Sequence, residues 1–242
     1  MPTPSTKIAL VTGANKGIGF EIARRLAEQG MTVLIGARDR ERGQAAAEKL
    51  KQKGCDARYL PLDVTREESI AAAAAKVELE FGRLDVLVNN AGMLHKDDRR
   101  GAPSLVAFRE TYETNLFAPY AVTSAFLPLL KKATAARIVN VSSGLGSINL
   151  HSQPRSPLST CCVAYATSKS ALNALTVHFA RQLRDTNIKV NAAAPGHCAT
   201  DMNDHAGPRT PVQGSNAPVH LATIDDNGPT GGFFDEDGPL PW

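Results

Sequence analysis

The sequence predicts an α/β fold: a doubly wound, mostly parallel sheet of seven strands with helices on both faces, built as a single domain. Three observations predict it. Short β-rich runs alternate with helical patterns from the N-terminus onward, the signature of a parallel sheet covered on both sides. The first run leads straight into a glycine-rich loop and an amphipathic stretch. The chain has 242 residues, 43% of them hydrophobic, enough for one large core.

In order, the strands are read at Ile8–Thr12, Thr32–Gly36, Arg58–Leu62, Leu84–Asn89, Arg137–Ser142 and Ile188–Ala192, with Gly231–Phe234 as an edge strand. Between them Ile18, Ile22 and Leu26 recur at helical spacing, as do Ile70, Ala74, Val77 and Phe81, and these stripes are expected to dock on the sheet. Thr65 with Glu68 fits a capping box at the start of the third helix. A long apolar helical region runs from about Ser104 to Lys132, with Pro119 and Pro128 expected to kink or break it. A further helix is expected from about Ala164 to Arg184. Gly and Pro become frequent after Pro195 and again from Gly228, so mobile loops beside a site are expected there, the first over about 201–217.

Composition excludes several classes of function. The net charge is only +3 and Lys and Arg are scattered, which lacks the clustering a nucleic-acid surface needs. No apolar run is long enough to span a membrane, and the opening residues lack the apolar core of a secretory signal, so a cytoplasmic protein is expected. The four cysteines (Cys55, Cys161, Cys162, Cys198) form no disulfide framework and no C-x-x-C pair. The six histidines form no ligand-spaced cluster, so no metal is invoked.

The loop Thr12-Gly13-Ala14-Asn15-Lys16-Gly17-Ile18-Gly19 sits between a strand and a helix. There the backbone must turn tightly and helix N–H groups can face a pyrophosphate, as in a Rossmann-like dinucleotide site. Gly13, Asn15, Lys16, Gly17, Ile18 and Gly19 are therefore candidate cofactor contacts. A glycine triplet alone is a weak signal; its placement gives it weight. Sites for NAD put a carboxylate at the end of the second strand, whereas this chain reads Gly36-Ala37-Arg38. Arg38, with Lys16, is suited to a 2′-phosphate, hence NADP(H). The plainer alternative is that both are solvated surface charges. Asp39 is expected to cap the helix that begins near Arg40.

Tyr165 and Lys169 lie four positions apart in the expected helix, so their polar ends can converge. A phenol normally ionises near ~10. The ammonium, with an oxidised nicotinamide nearby, is expected to acidify it, making Tyr165 a general acid in reduction and a base in oxidation. Ser143, at the end of the fifth strand, is placed to hold a substrate oxygen, and Ser142 is read as structural. By itself Y-x-x-x-K is common on helices; its position relative to Ser143 makes it a site.

Together these pieces resemble the short-chain dehydrogenase/reductase family over nearly the whole chain. The matching motifs stand in family order: T-G-x-x-x-G-I-G at Thr12–Gly19, Asp63, Asn89-Asn90-Ala91-Gly92, Asn115, Ser143, Tyr165-x-x-x-Lys169, and Pro195-Gly196 with Thr200. The resemblance implies that Asp63 and Val64 meet the adenine, that Asn90, Ala91 and Gly92 line the cofactor, and that Asn89 braces the sheet. It implies a helix break at Asn115, holding a water that links Lys169 to a proton relay. It also implies that Pro195, Gly196 and Thr200 secure the nicotinamide carboxamide. Within the family, the loop T-G-A-N-K-G-I-G, the A-R-D after the second strand and the following R-G-Q-A-A look most like the NADPH-dependent carbonyl reductases.

Two features depart from the family pattern. The stretch over about 145–164 is longer than in most compact members and carries Pro154, Pro157, Cys161 and Cys162; it reads as a lid, a modified subunit contact or a passive loop. His197-Cys198 follows Pro-Gly where aliphatic or aromatic residues are usual, and Cys198 is not read as a nucleophile. The leading expectation is reduction of a small-molecule ketone or aldehyde with NADPH. Alternatives are oxidation of a hydroxyl, including a hydroxysteroid, or NADP(H) sensing without turnover. Relatives commonly pair through the helices that carry Asn115 and Tyr165, so a homo-oligomer and a monomer both stay open.

Overall fold

The computed structural model describes residues 6–154, 156, 158 and 162–242. Its sheet has seven strands: β1 (Ile8–Thr12), β2 (Thr32–Ala37), β3 (Ala57–Pro61), β4 (Val86–Asn89), β5 (Ala136–Val141), β6 (Ile188–Ala193) and β7 (Phe233–Phe234). The order is β3-β2-β1-β4-β5-β6-β7 and every pairing is parallel, so the edge strand expected at 231–234 joins in the same sense. Strand order reverses direction between β1 and β4, the crevice where such sheets bind ligands.

Alternation along β1 explains the two layers. Ala9 and Val11 face one core with Ile22 and Leu26 of helix α1 (Gly17–Glu28), Leu50 of α2 (Arg40–Lys51) and Val219 of α10 (Asn216–Thr223). Ile8 and Leu10 face the other core with Ile70 and Val77 of α3 (Glu67–Phe81), Phe126 of α6 (Ala118–Lys131) and Phe179 of α8 (Val163–Gln182). Strands buried on both faces read as near-continuous apolar runs, as β1 and β2 do apart from Thr12 and Thr32 at their ends.

Several expectations are corrected. The capping box at Thr65 does not form: α3 starts at Glu67 without a side-chain cap. The Asp63 carboxylate instead takes both the Thr65 N–H (3.1 Å) and its hydroxyl (2.8 Å), a local turn that outcompetes the helix cap. The long helix over 104–132 is interrupted, but not by its prolines. It splits into α5 (Leu105–Tyr112), a π-helical turn at Glu113–Phe117 and α6, with Pro119 at the tolerated start of α6 and Pro128 inside it. Asp39 caps α2 as expected, accepting the Arg42 N–H at 3.0 Å.

The segment over 201–217 is a loop only in part, with residues 204–210 outside any helix. It holds a 3-10 turn at Asp201–Asn203, α9 (Pro211–Gly214) and the first residues of α10. Thr210-Pro211-Val212-Gln213 is a complete capping box with proline in its first turn, so Pro211 starts a helix. In the stretch over 145–164, Pro157 and Cys161 lie outside the described residues. Its first part forms a 3-10 turn at Gly144–Gly146 and α7 (Ile148–Ser152), tied to the end of the chain by the Asn149 N–H to the Trp242 carbonyl (2.7 Å) and the Ser147 hydroxyl to that of Pro241 (2.7 Å). One more short helix, α4 (Lys96–Arg99), follows β4. Among the described residues no helix is long and apolar enough to cross a membrane, and no His/Cys/Asp/Glu group is arranged to hold a metal.

Candidate active site

The site lies at the carboxyl ends of β1, β4, β5 and β6. Gly17 adopts φ +59°, left-handed backbone that favours glycine, and it opens α1 with neither a side-chain cap nor an acidic residue in the first turn. A helix start in that state presents N–H groups to an anion. At Gly19 a Cβ would stand 2.3 Å from the Asn90 amide nitrogen and 2.6 Å from the Gly13 carbonyl, so only glycine lets α1 and the turn approach this closely. Thr200 faces the loop from the opposite side, its methyl 3.7 Å from where a Gly17 Cβ would be. The cradle is thus left open by residue choice and fits a phosphate.

Asn90 and Ala91 hold this turn. Thr12 Oγ1 accepts both of their N–H groups at 3.0 Å, and the Asn90 side chain donates to the Thr12 carbonyl at 2.9 Å. Asn89 points into the sheet, donating to Asn140 (2.8 Å) and Thr123 (3.0 Å), while Asn140 donates to Thr176 of α8 (2.9 Å). It braces the sheet as expected. Arg38 is exposed at the end of β2, and among the described residues no carboxylate pairs with it. The Lys16 ammonium contacts Asp201 at 2.5 Å, with both side chains more than half exposed. Such a pair contributes little and is readily exchanged for a phosphate. Asp63 and Val64 sit half-buried just beyond β3.

The polar end of α8 gathers the remaining candidates. The Ser143 side chain lies against the Tyr165 phenol, and its Oγ accepts the Leu145 N–H at 3.2 Å. Lys169 is 4% exposed, donates to the Val141 carbonyl at 2.8 Å, and lies 5.6 Å from the centre of the Tyr165 ring. Asn115, fully buried in the π-turn, brackets the Met93 peptide, accepting its N–H (2.8 Å) and donating to its carbonyl (2.9 Å) and to Ser168 (3.1 Å). Asn115 Oδ1 and Lys169 Nζ stand 3.3 and 3.6 Å from where a Gly92 Cβ would be, so Gly92, Asn115 and Lys169 meet at one point. Ser142 is structural, donating to Asn173 at 2.6 Å. Gly196, at φ +75°, follows Pro195 at the end of β6, and Cys198 is buried, with burial pushing its thiol up. That is the opposite of what a nucleophile needs.

The electrostatics of the protein's own groups are set by burial. Burial pushes the Tyr165 phenol up to about 12, only partly offset by the Ser143 side chain, and burial brings Lys169 down to about 8. The Lys169 ammonium donates to the Val141 carbonyl, and the acidification expected of it is a joint effect with an oxidised nicotinamide.

Three residues with evident roles escaped sequence reasoning. Gly146 packs its backbone on α8, a Cβ there falling 2.8 Å from the Lys169 carbonyl carbon. Arg209 covers Gly196 and pairs with Glu236, whose carboxyl it holds down at about 2. Asp98 accepts backbone N–H groups at the start of α8. All three act across long sequence separations, and no local pattern marks them.

Comparison with known proteins follows the same lines. A model of the family described as short chain dehydrogenase matches residues 7–210. A short-chain dehydrogenase of Penicillium roqueforti is 37% identical over 92% of this chain and 91% of its own length. Carbonyl reductase (NADPH) 1 of Mus musculus is 35% identical over 98% of this chain and 99% of its own. The crystal structure of NADPH-bound carbonyl reductase from chicken fatty liver superposes with a TM-score of 0.84 at 32% identity, covering 98% of this chain and 99% of that one.

Proposed function

The chain belongs to the short-chain dehydrogenase/reductase family, and from that footing we propose that it reduces a ketone or aldehyde to an alcohol, with Tyr165 as proton donor. It is an NADP(H)-dependent oxidoreductase. The observation that carries the finer reading is the Ser143 side chain against the Tyr165 phenol, set beside buried Lys169 at the carboxyl edge of the sheet.

When bound, NADPH supplies the hydride. The residues suited to hold it are Gly13, Asn15, Gly17, Ile18 and Gly19 at the pyrophosphate, Arg38 and Lys16 at the 2′-phosphate, Asp63 and Val64 at the adenine, and Ala91, Gly92, Pro195, Gly196 and Thr200 along the rest. Ser143 holds the substrate oxygen and Tyr165 delivers a proton to it. A phenol pushed up to about 12 is protonated at neutral pH, the form that reduction consumes. The alkoxide it meets is far more basic than a phenolate, so the transfer runs downhill. Lys169, charged below about 8, adds positive potential beside the phenolate left behind, and Asn115 fixes the Gly92–Met93 backbone beneath that amine.

Most of the barrier reduction is assigned to orientation, which supplies roughly 7–11 kcal/mol, with proton transfer adding about 10²–10⁴-fold. The test is loss of NADPH absorbance with a panel of aliphatic, aromatic and quinone carbonyls. Turnover with at least one class is expected; tight NADPH binding without oxidation across the panel contradicts the reading.

A further inference from the structure

We propose that Asp98 is a positioning residue for Tyr165, capping the catalytic helix from a distant part of the chain; this rests on the reading of Tyr165 as the proton donor. Every helix start leaves N–H groups without partners, and the usual remedy is a Ser, Thr, Asp or Asn at the cap, in extended backbone, whose side chain accepts from the second or third residue. Helix α8 lacks that remedy. Its cap residue is Cys162, at φ +67°, with no side-chain cap bond.

Asp98 supplies the missing acceptors. It lies on α4, fully buried, and its Oδ1 accepts the Ala164 N–H at 3.1 Å while its Oδ2 accepts the Tyr165 N–H at 2.7 Å. Its own main-chain carbonyl accepts the Cys162 N–H at 3.1 Å. One residue therefore fixes Cys162, Ala164 and Tyr165, and the last of these carries the phenol. A carboxylate here also faces the positive end of the helix dipole, and the short contact to Tyr165 suits a charge-assisted bond.

The consequence for chemistry follows from where the other contacts fall. Lys169, one turn further into α8, is tied independently to the Val141 carbonyl. Slack in the first turn would thus move Tyr165 relative to Lys169 and to Ser143, which follows β5. The next residue extends the clamp: Arg99 pairs with Asp204 at 2.8 Å, so α4 joins the catalytic helix to the segment after Thr200. Misplacement of a reacting group by about 1 Å costs on the order of 10²-fold in rate.

The test compares Asp98→Asn, which keeps the shape but loses the charge and one acceptor, with Asp98→Ala and the wild type in the full chain. For each, kcat and KM are measured on a carbonyl that the wild type reduces and Tyr165→Phe does not. NADPH Kd, thermal midpoint and amide hydrogen exchange at residues 164 and 165 complete the set. Asp98→Asn is expected to lose roughly ten- to hundred-fold in kcat while NADPH Kd stays within about two-fold. Exchange at 164 and 165 is expected to rise while the second half of α8 stays protected. A residue that merely fills space would lower the thermal midpoint and leave kcat per NADPH-binding site at the wild-type value, and that result overturns the proposal. Should Asp98→Ala fail to fold, Asp98→Asn decides alone. Should the wild type reduce no carbonyl, the reading of Tyr165 falls separately, and unchanged exchange at 164 and 165 in Asp98→Asn then overturns the cap itself.

Discussion

Lys169 pays a desolvation penalty for its place beneath the Tyr165 ring, and that penalty fixes how the protein responds to pH. Its folded value of about 8 lies below the ordinary 10.5, so between those limits the unfolded chain binds more protons than the folded one. Stability is therefore expected to rise with pH across that window, by up to about 3 kcal/mol, with the full penalty present below pH 8. Denaturant unfolding of wild type and Lys169→Met at both ends of the window checks this: the variant is expected to lack the rise. For activity the sign is reversed. The ammonium form that supports proton delivery exists below about 8, while Tyr165 keeps its proton up to about 12, so kcat/KM for reduction is expected to be level at low pH and to fall above about 8. A profile level through the alkaline range would contradict this role for Lys169. At the far end of the cofactor, Arg38 stands exposed with no carboxylate partner among the described residues. Arg38→Asp is expected to weaken NADPH by roughly ten- to hundred-fold, the worth of hydrogen bonds to a charged group, and NADH far less. Equal losses for both cofactors in steady-state kinetics would defeat that assignment.

Among the elements, α8 and the loop after β5 form one unit, because Gly146 allows their backbones to touch beside Lys169. Gly146→Ala is expected to cost about 1–3 kcal/mol in denaturant unfolding, as overpacking does in a tight interface, with a fall in kcat from the displaced helix. An unchanged unfolding midpoint would show that the contact yields without cost. The first six strands were legible because most are short, largely apolar runs bounded by turn residues, and strand ends differ from the expected ones by at most two positions. The break at Asn115 followed from family resemblance; the prolines nearby pointed to the wrong residues, since Pro119 falls where a helix tolerates it. The helices over 211–223 were hidden for a related reason: Pro211 starts a helix when Thr210 and Gln213 form a box around it. Legibility failed wherever contact partners lie far apart. Asp98 and Tyr165, Gly146 and Lys169, and Arg209 and Glu236 meet only in three dimensions, and nothing at the level of spacing links them.

For the molecule as a whole, the parallel sheet gathers what the sequence scatters. Reversal of strand order between β1 and β4 opens the crevice, and the loops after β1, β4, β5 and β6 deliver the glycine cradle, Asn90, Ser143 and Thr200 to it. The scaffold alone is compatible with many activities. The proposed reduction rests on the cluster of Ser143, Tyr165 and Lys169 at its rim. The most direct test is Tyr165→Phe, which removes one oxygen and keeps the ring. With a carbonyl that the wild type reduces, kcat/KM is expected to fall by about 10²–10⁴-fold while NADPH Kd is unchanged. Turnover equal to wild type after that single deletion would contradict the account.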